Sequence, residues 1–192
     1  TFTGLDFQPD WVWSKRRQTH VHQLYDSVRT AGSGKALQSD SDVAEGGDGG
    51  TYGYLSSFTS DGFASTVGSS NNNYFNADGA TYAFWNWRAG TAFSNDASST
   101  SVGSIDSAGS INTDAGFSII SWTGDGNNGA TIAHGLGATP AIVITKRRDD
   151  TADFQIGGSL IDTVRGGANS LLLLNTNAVI DSNSEVYQTF SS

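Results

Sequence analysis

The chain has 192 residues, enough for one large domain or two small β domains. Charged residues are only 15%, the net charge is −9, and Cys is absent. That excludes disulfides and thiol chemistry, and it leaves no basic footprint for duplex DNA or an anionic membrane. Hydrophobic residues other than Gly reach 36%, and aromatic residues make up 11%, so a core must rest largely on aromatic and β-branched side chains.

Read in chain order, the first strong element is DWVWSK (Asp10–Lys15), an apolar, β-rich run after a proline. HVHQLYDSVR (His20–Arg29) fits a short helix or a strand equally well. Turn signals follow at SDGF (Ser60–Phe63) and ADGA (Ala77–Ala80). TYAFWNW (Thr81–Trp87) is a strong strand. The stretch Gly90–Ile111 is dominated by Gly, Ser, Ala and Asp and reads as a linker or long exposed loop. GFSIISW (Gly116–Trp122) is a strand, TGDGNNG (Thr123–Gly129) a turn, and AIVITK (Ala141–Lys146) and SLLLLN (Ser170–Asn175) two more strands. Leu171–Leu174 is the longest aliphatic run, far short of membrane length. With no Met and an opening Thr1, the chain is expected to be a processed or excerpted piece of a longer protein.

The sequence repeats itself. TGLDFQPDWVWSKRRQT (Thr3–Thr19) matches HGLGATPAIVITKRRDDT (His134–Thr151), pairing Gly4 with Gly135, Pro9 with Pro140, Val12 with Val143, and Lys15–Arg16–Arg17 with Lys146–Arg147–Arg148. A second match, YDSVRTAGSGKAL (Tyr25–Leu37) with IDTVRGGANSLLL (Ile161–Leu173), follows in the same order after a few inserted residues. The expected fold is therefore all-β: an antiparallel β-sandwich of jelly-roll or lectin-like type, in two tandem related units. Residues 1–90 would form the first unit, with its opening strand missing. Residues 91–115 would be a Gly/Ser-rich linker or long loop, and 116–192 the start of the second unit.

Several residue groups are candidates for chemistry. Trp11 with Trp13, and Trp85 with Trp87, form W-x-W pairs, so each pair faces one way on a strand. Such faces can stack sugars or contact a partner; because these are the strongest strands, a core role is the favoured expectation. Each K-R-R triplet ends a strand, where it would meet an anion or, as Asp149 and Asp150 suggest for the second, pair with neighbouring carboxylates. Asp26 with Arg29, and Asp162 with Arg165, share a D-x-V-R pattern suited to an ion pair that pins a loop. His20 and His22 would share a strand face with spacing weakly suited to a metal, while His134 reads as a turn residue. Calcium could be held by Asp125, Asn127 and Asn128, or by Asp40, Asp42, Glu45 and Asp48, yet neither group has the EF-hand spacing, and ordinary turn chemistry explains both. No nucleophile, phosphate-loop or zinc-protease motif is present, so no catalytic residue, cofactor site or metal site is assigned.

Taken together, TGLDFQPDWVWSKRR, YDSVR, LSSFTSDGF, YAFWNWRAG, NTDAGFSIISWTGDG and HGLGATPAIVITKRR, in that order, resemble a repeat module of tail-fibre and other virion structural proteins of marine and cyanobacterial tailed phages. The resemblance spans Thr3 to about Asn175. It implies tandem β-sandwich units, a part in particle architecture or host attachment, and often a trimeric fibre. It carries over no catalytic residues. The expected function is a non-enzymatic structural or adhesion module of a tail fibre or similar extracellular appendage, located on a virion or outside the cell. Its partners would be copies of itself in a trimer or filament, other virion proteins, and a host-surface glycan, without nucleic acid or membrane insertion. A lectin-like carbohydrate-binding module and a capsid-decorating protein are the alternatives. Here the first copy lacks an opening strand and the second stops at Phe190–Ser192, before any counterpart of YAFWNW, so neighbouring subunits or further chain would complete the sheet edges.

Overall fold

The computed structural model describes residues 1–165 and 171–176. They form two compact units: Thr1–Gly90 with Arg147–Ala152, and the described residues of 91–146 and 153–176. The architecture is all-β and antiparallel, and the helices are single short turns or little more.

Unit 1 carries, in chain order, β1 (Phe2–Thr3), β2 (Trp11–Arg16), β3 (Gln23–Asp26), α1 (Gly49–Tyr52), β4 (Tyr54–Thr59), β5 (Gly62–Thr66) and β6 (Tyr82–Trp87). These make two three-stranded sheets, ordered β1-β5-β4 and β3-β2-β6. The two sheets face each other across aromatic side chains. Phe84 of β6 lies 4.9 Å from Phe2 and 5.4 Å from Phe63, ring centre to ring centre, and Phe2 stacks on Phe63 at 4.8 Å. Val12, Tyr25, Ala36, Leu55, Phe63, Tyr74 and Phe75 are buried around them. This is a sandwich whose interior is filled by rings, as the sparse aliphatic content requires.

Local chemistry sets the joints. Ser60 and Asp61 close the β4–β5 hairpin, and the Asp-Gly pair within the predicted SDGF turn places Gly62 at φ 149°. A β-carbon there would stand 2.0 Å from the Phe2 carbonyl oxygen, so only Gly lets β1 lie against β5. The Asp61 carboxylate accepts from the Gly4 and Asp6 backbone N–H groups, which hold its pKa below the ordinary value. The first unit, expected to lack an opening strand, thus begins with β1 paired to β5. His20–Arg29, ambiguous in sequence, supplies strand β3.

Unit 2 carries β7 (Thr91–Asn95), α2 (Ala97–Thr100), β8 (Ser107–Asn112), β9 (Phe117–Trp122), β10 (Val143–Thr145), β11 (Gln155–Gly157), α3 (Ser159–Arg165) and β12 (Leu172–Leu173). Its sheets are β7-β8-β9 and β10-β11-β12. The linker expected over 91–115 is corrected here: it holds β7, α2 and β8, and β8 is the central strand of its sheet. The reason is steric. Gly109 faces Ile120 across the β8–β9 ladder, where a β-carbon would stand 1.9 Å from the Ile119 carbonyl oxygen. Ser107 and Ser110 are buried, and the Ser107 hydroxyl donates to the Ala133 carbonyl. Small residues permit a close strand packing that composition alone reads as a loop.

The first repeated segment supplies the same strand in each unit, β2 and β10, and each pairs with the next strand of the chain. The second match is corrected at its start: Tyr25 and Asp26 lie in β3, whereas their sequence counterparts Ile161 and Asp162 lie in α3, and β11 precedes them. In unit 1, β2 pairs with β3 as Val12↔Tyr25, Trp13↔Leu24 and Ser14↔Gln23. In unit 2, β10 pairs with β11 as Val143↔Gly157, Ile144↔Ile156 and Thr145↔Gln155. The register is equivalent, with a hairpin loop one residue longer in the second. Leu37 bridges Leu24, as Leu172 pairs with Ile156. Gly4 and Gly135 both take positive φ, at 94° and 72°. Residues 166–170 of the second match and the closing Phe190–Ser192 lie outside the described residues.

Two polar clusters hold unit 1 together. Asp26 and Arg29 do pair: Arg29 Nε donates to Asp26 Oδ2 at 2.6 Å, and Arg29 N donates to Asp26 Oδ1. Arg29 Nη1 also reaches Glu45 at 2.8 Å and the Lys35 carbonyl, and Glu45 takes Arg148 at 3.1 Å. The Arg29 side chain is only 6% exposed, so its charge depends on these partners. Asp162, the second copy's aspartate, lies in α3, and the Arg165 side chain lies outside the described residues. The other cluster is Asp10, also buried. Its Oδ2 accepts from the Ala89 and Gly90 N–H groups at 2.9 and 2.6 Å, and its Oδ1 accepts from the Ser27 hydroxyl at 2.7 Å. Its own N–H donates to the Trp87 carbonyl, and its carbonyl accepts from Ser27 N–H. One side chain thus ties the start of β2 to the ends of β3 and β6.

Arg29→Met is expected to lower unfolding free energy by about 3 kcal/mol, because it strands the Asp26 carboxylate in a buried site and leaves Glu45 with Arg148 alone. Asp10→Ala is expected to cost about 2 kcal/mol by orphaning backbone donors. Urea denaturation checks both, and a change under 0.5 kcal/mol in either would contradict the assigned role.

Candidate functional site: an aromatic face on β2 and β6

Strand β2 reads Trp-Val-Trp-Ser. The pleat sends alternate side chains to opposite faces. Val12 and Ser14 point inward, both fully buried, so Trp11 and Trp13 point outward. On β6 the inward residue is Phe84, and Trp85 and Trp87 point outward, 47% and 36% exposed. The β2–β6 register places Trp11 opposite Trp87 and Trp13 opposite Trp85. The favoured expectation of a core role is therefore corrected: the four indoles share the sheet face turned away from the core. The interior is already occupied by Tyr25, Phe63, Phe75 and Phe84, which leaves room at β2 only for a valine and a serine.

The rings touch one another. Trp11 and Trp87 are 4.9 Å apart, Trp11 and Trp13 6.0 Å, and Trp13 and Trp85 6.0 Å between centres. Cross-strand aromatic pairs of this kind add roughly 0.2–1 kcal/mol each to a sheet. Trp13, Trp85 and Trp87 line a shallow depression of about 300 Å³ with His22. Trp13 Nε1 donates to His22 Nδ1 at 2.7 Å, and the His22 backbone N–H donates to Asp40 Oδ1 at 2.9 Å. Burial lowers the His22 pKa, with Asp40 opposing and Lys15 assisting the shift. An Nδ1 that accepts the indole N–H carries no proton, so the imidazole in this contact is neutral with its proton on Nε2.

His22 went unread as a partner of Trp13 because the two are nine positions apart, and only the hairpin register brings them together. Nor does His20 join it. It takes φ 78° and packs edge-on to Tyr74 at 5.8 Å, so the two histidines do not form a metal pair. Among the described residues, no three His, Cys, Asp or Glu side chains gather as metal ligands. The calcium candidates have other duties. Asp40 holds His22, and Glu45 belongs to the Arg29 cluster. Asp48 accepts from Gln38 and from the Tyr74 hydroxyl, whose pKa burial and that carboxylate raise. Asp125 caps its own turn through Asn127.

Most members of the basic triplets are likewise engaged. Lys15 donates to the His20 and Arg16 carbonyls, and Arg16 to Asn73. Lys146 lies over the Phe154 ring at 5.6 Å, and Arg147 pairs with Asp149 and Asp150 in solvent. His134 accepts from the Leu136 N–H, a turn contact. Among the described residues, no helix is long and apolar enough to cross a membrane. In unit 2 the positions equivalent to Trp11 and Trp13 are Ile142 and Ile144, 52% and 39% exposed. The outward face is apolar in both copies of the hairpin, and aromatic only in the first.

No curated protein and no solved structure matches the chain. One family matches over residues 1–192, and on that match the chain belongs to the family described as Domain of unknown function (DUF7483).

Proposed function

We propose that this chain is a non-enzymatic attachment module of an extracellular or virion appendage, a phage tail fibre by its sequence resemblance, and that it engages its target through the Trp11/Trp13/Trp85/Trp87 face. One observation carries the reading: four large aromatic side chains stand in cross-strand register outside the core. Exposing large rings forgoes burial they could have supplied. A contiguous aromatic patch on a soluble surface is the signature of a contact site. Assembly with copies of itself, as a trimer or filament, and with other virion proteins belongs to the same reading. The lectin-like alternative draws on the same face, since indoles present flat apolar surfaces to sugar rings.

The double variant Trp85→Ala/Trp87→Ala is expected to lose at least tenfold in binding to its target surface, read on immobilised host-surface glycans or whole cells. Its melting temperature should stay within about 4 °C of the parent, equivalent to roughly 1 kcal/mol or less. Val12→Ala, on the opposite face of β2, is expected to cost about 2 kcal/mol of stability and leave binding by the folded protein unchanged. Unchanged binding by the tryptophan variant, or lost binding by folded Val12→Ala, would refute the reading.

A further inference from the structure

The face is not a flat platform. Trp13 forms a floor, and two rings stand steeply against it: Trp85 at 63° and His22 at 65°, with centres 6.0 and 5.7 Å away. Trp87 completes the lining. A sugar-binding platform needs hydroxyl partners beside its stacking ring, such as carboxylates, amides or hydroxyls. None of the four lining side chains carries one, and His22 Nδ1 is already taken by Trp13. What the lining offers is a set of electron-rich ring faces. Such faces attract a soft cation centred within about 6 Å of them, and most strongly when the rings are indoles.

Resting on the attachment reading above, we infer that the Trp13–His22–Trp85–Trp87 depression is an aromatic cage for a quaternary ammonium group of the choline type, borne on a glycan of the target surface. The depression, about 300 Å³, has room for a trimethylammonium head. The neutral, hydrogen-bonded imidazole fits as a wall, because a protonated one would repel the ligand. The net charge of −9 favours a cationic ligand at long range. Lys15, a like charge whose field reaches His22, has its ammonium held by the His20 and Arg16 carbonyls. The net charge does not separate a glycan-borne group from a zwitterionic lipid head; the glycan source follows from the attachment reading.

The test titrates the full chain with choline, with 3,3-dimethylbutan-1-ol (its neutral carbon isostere), and with a neutral trisaccharide, following tryptophan fluorescence and indole N–H resonances. Choline is expected to saturate the signal of Trp13 and Trp85, and the isostere to bind at least tenfold more weakly. Trp85→Ala should abolish the response while retaining the parent near-ultraviolet dichroism at other aromatic residues. Equal binding of the isostere would overturn the cation assignment. A saturable trisaccharide response with choline silent would overturn it too, and would leave the attachment reading intact. Capture by phosphatidylcholine vesicles in preference to a choline-substituted polysaccharide would overturn the glycan source. The comparison of choline with its isostere needs no variant, so a folding defect in Trp85→Ala cannot decide the matter.

Discussion

The register of β2 against β6 is the constraint on which everything else rests. Side chains alternate with a period of two, so a slip of β2 by one residue would drive Trp11 and Trp13 into the core and lift Val12 and Ser14 out of it, and a slip of β6 would exchange Trp85 and Trp87 for Phe84. Two features forbid the slip. Phe84 is locked among Phe2, Phe63 and Phe75, all from other elements of the sandwich. At the far end, Asp10 grips the backbone beyond Trp87 through Ala89 and Gly90 and takes the Trp87 carbonyl with its own N–H. The aromatic face is thus a consequence of a packed interior and a buried carboxylate, neither of which touches a ligand.

That interior also explains the composition. A chain with so little aliphatic content fills its sandwich with Phe and Tyr, and large rings leave small gaps. Valine and serine fit those gaps on β2, while tryptophan does not. The residues with the greatest apolar surface are therefore expelled to the outside. There, contacts among Trp11, Trp13, Trp85 and Trp87 recover part of the lost burial, and His22 satisfies the Trp13 N–H. The second hairpin repeats the arrangement with Ile142 and Ile144, so the outward apolar face belongs to the hairpin itself and the indoles are what distinguish the first copy.

The β class and the strands at Asp10–Lys15, Thr81–Trp87 and Gly116–Trp122 were legible in the sequence, because periodicity and β-branched or aromatic content coincide there. The duplication of the first hairpin strand was legible too, down to Gly4 and Gly135, and so was the Asp26–Arg29 pair; β11 was not, because it falls between the two matched segments and shares little with β3 beyond Gln155. The side of the sheet taken by the tryptophans was not. In W-V-W-S both alternating sets can be buried, and the choice depends on rings contributed by β5 and by residues 74–75, far away in the chain. The strands β7 and β8 were hidden for a different reason: Ser, Gly and Ala carry no β signal of their own and become strand only through close packing against β9. Asp10 and His22 were missed because their roles exist only across the ladders, with partners up to 80 positions distant.

Solvent exposure of individual indoles tests the central claim most directly. With a soluble paramagnetic agent, the Trp85 and Trp87 indole N–H resonances should broaden strongly in the free protein, while the Val12 methyl resonances stay sharp. Protected Trp85 and Trp87 indoles beside broadened Val12 methyls would mean that the sheet is turned the other way, and the aromatic face would not exist.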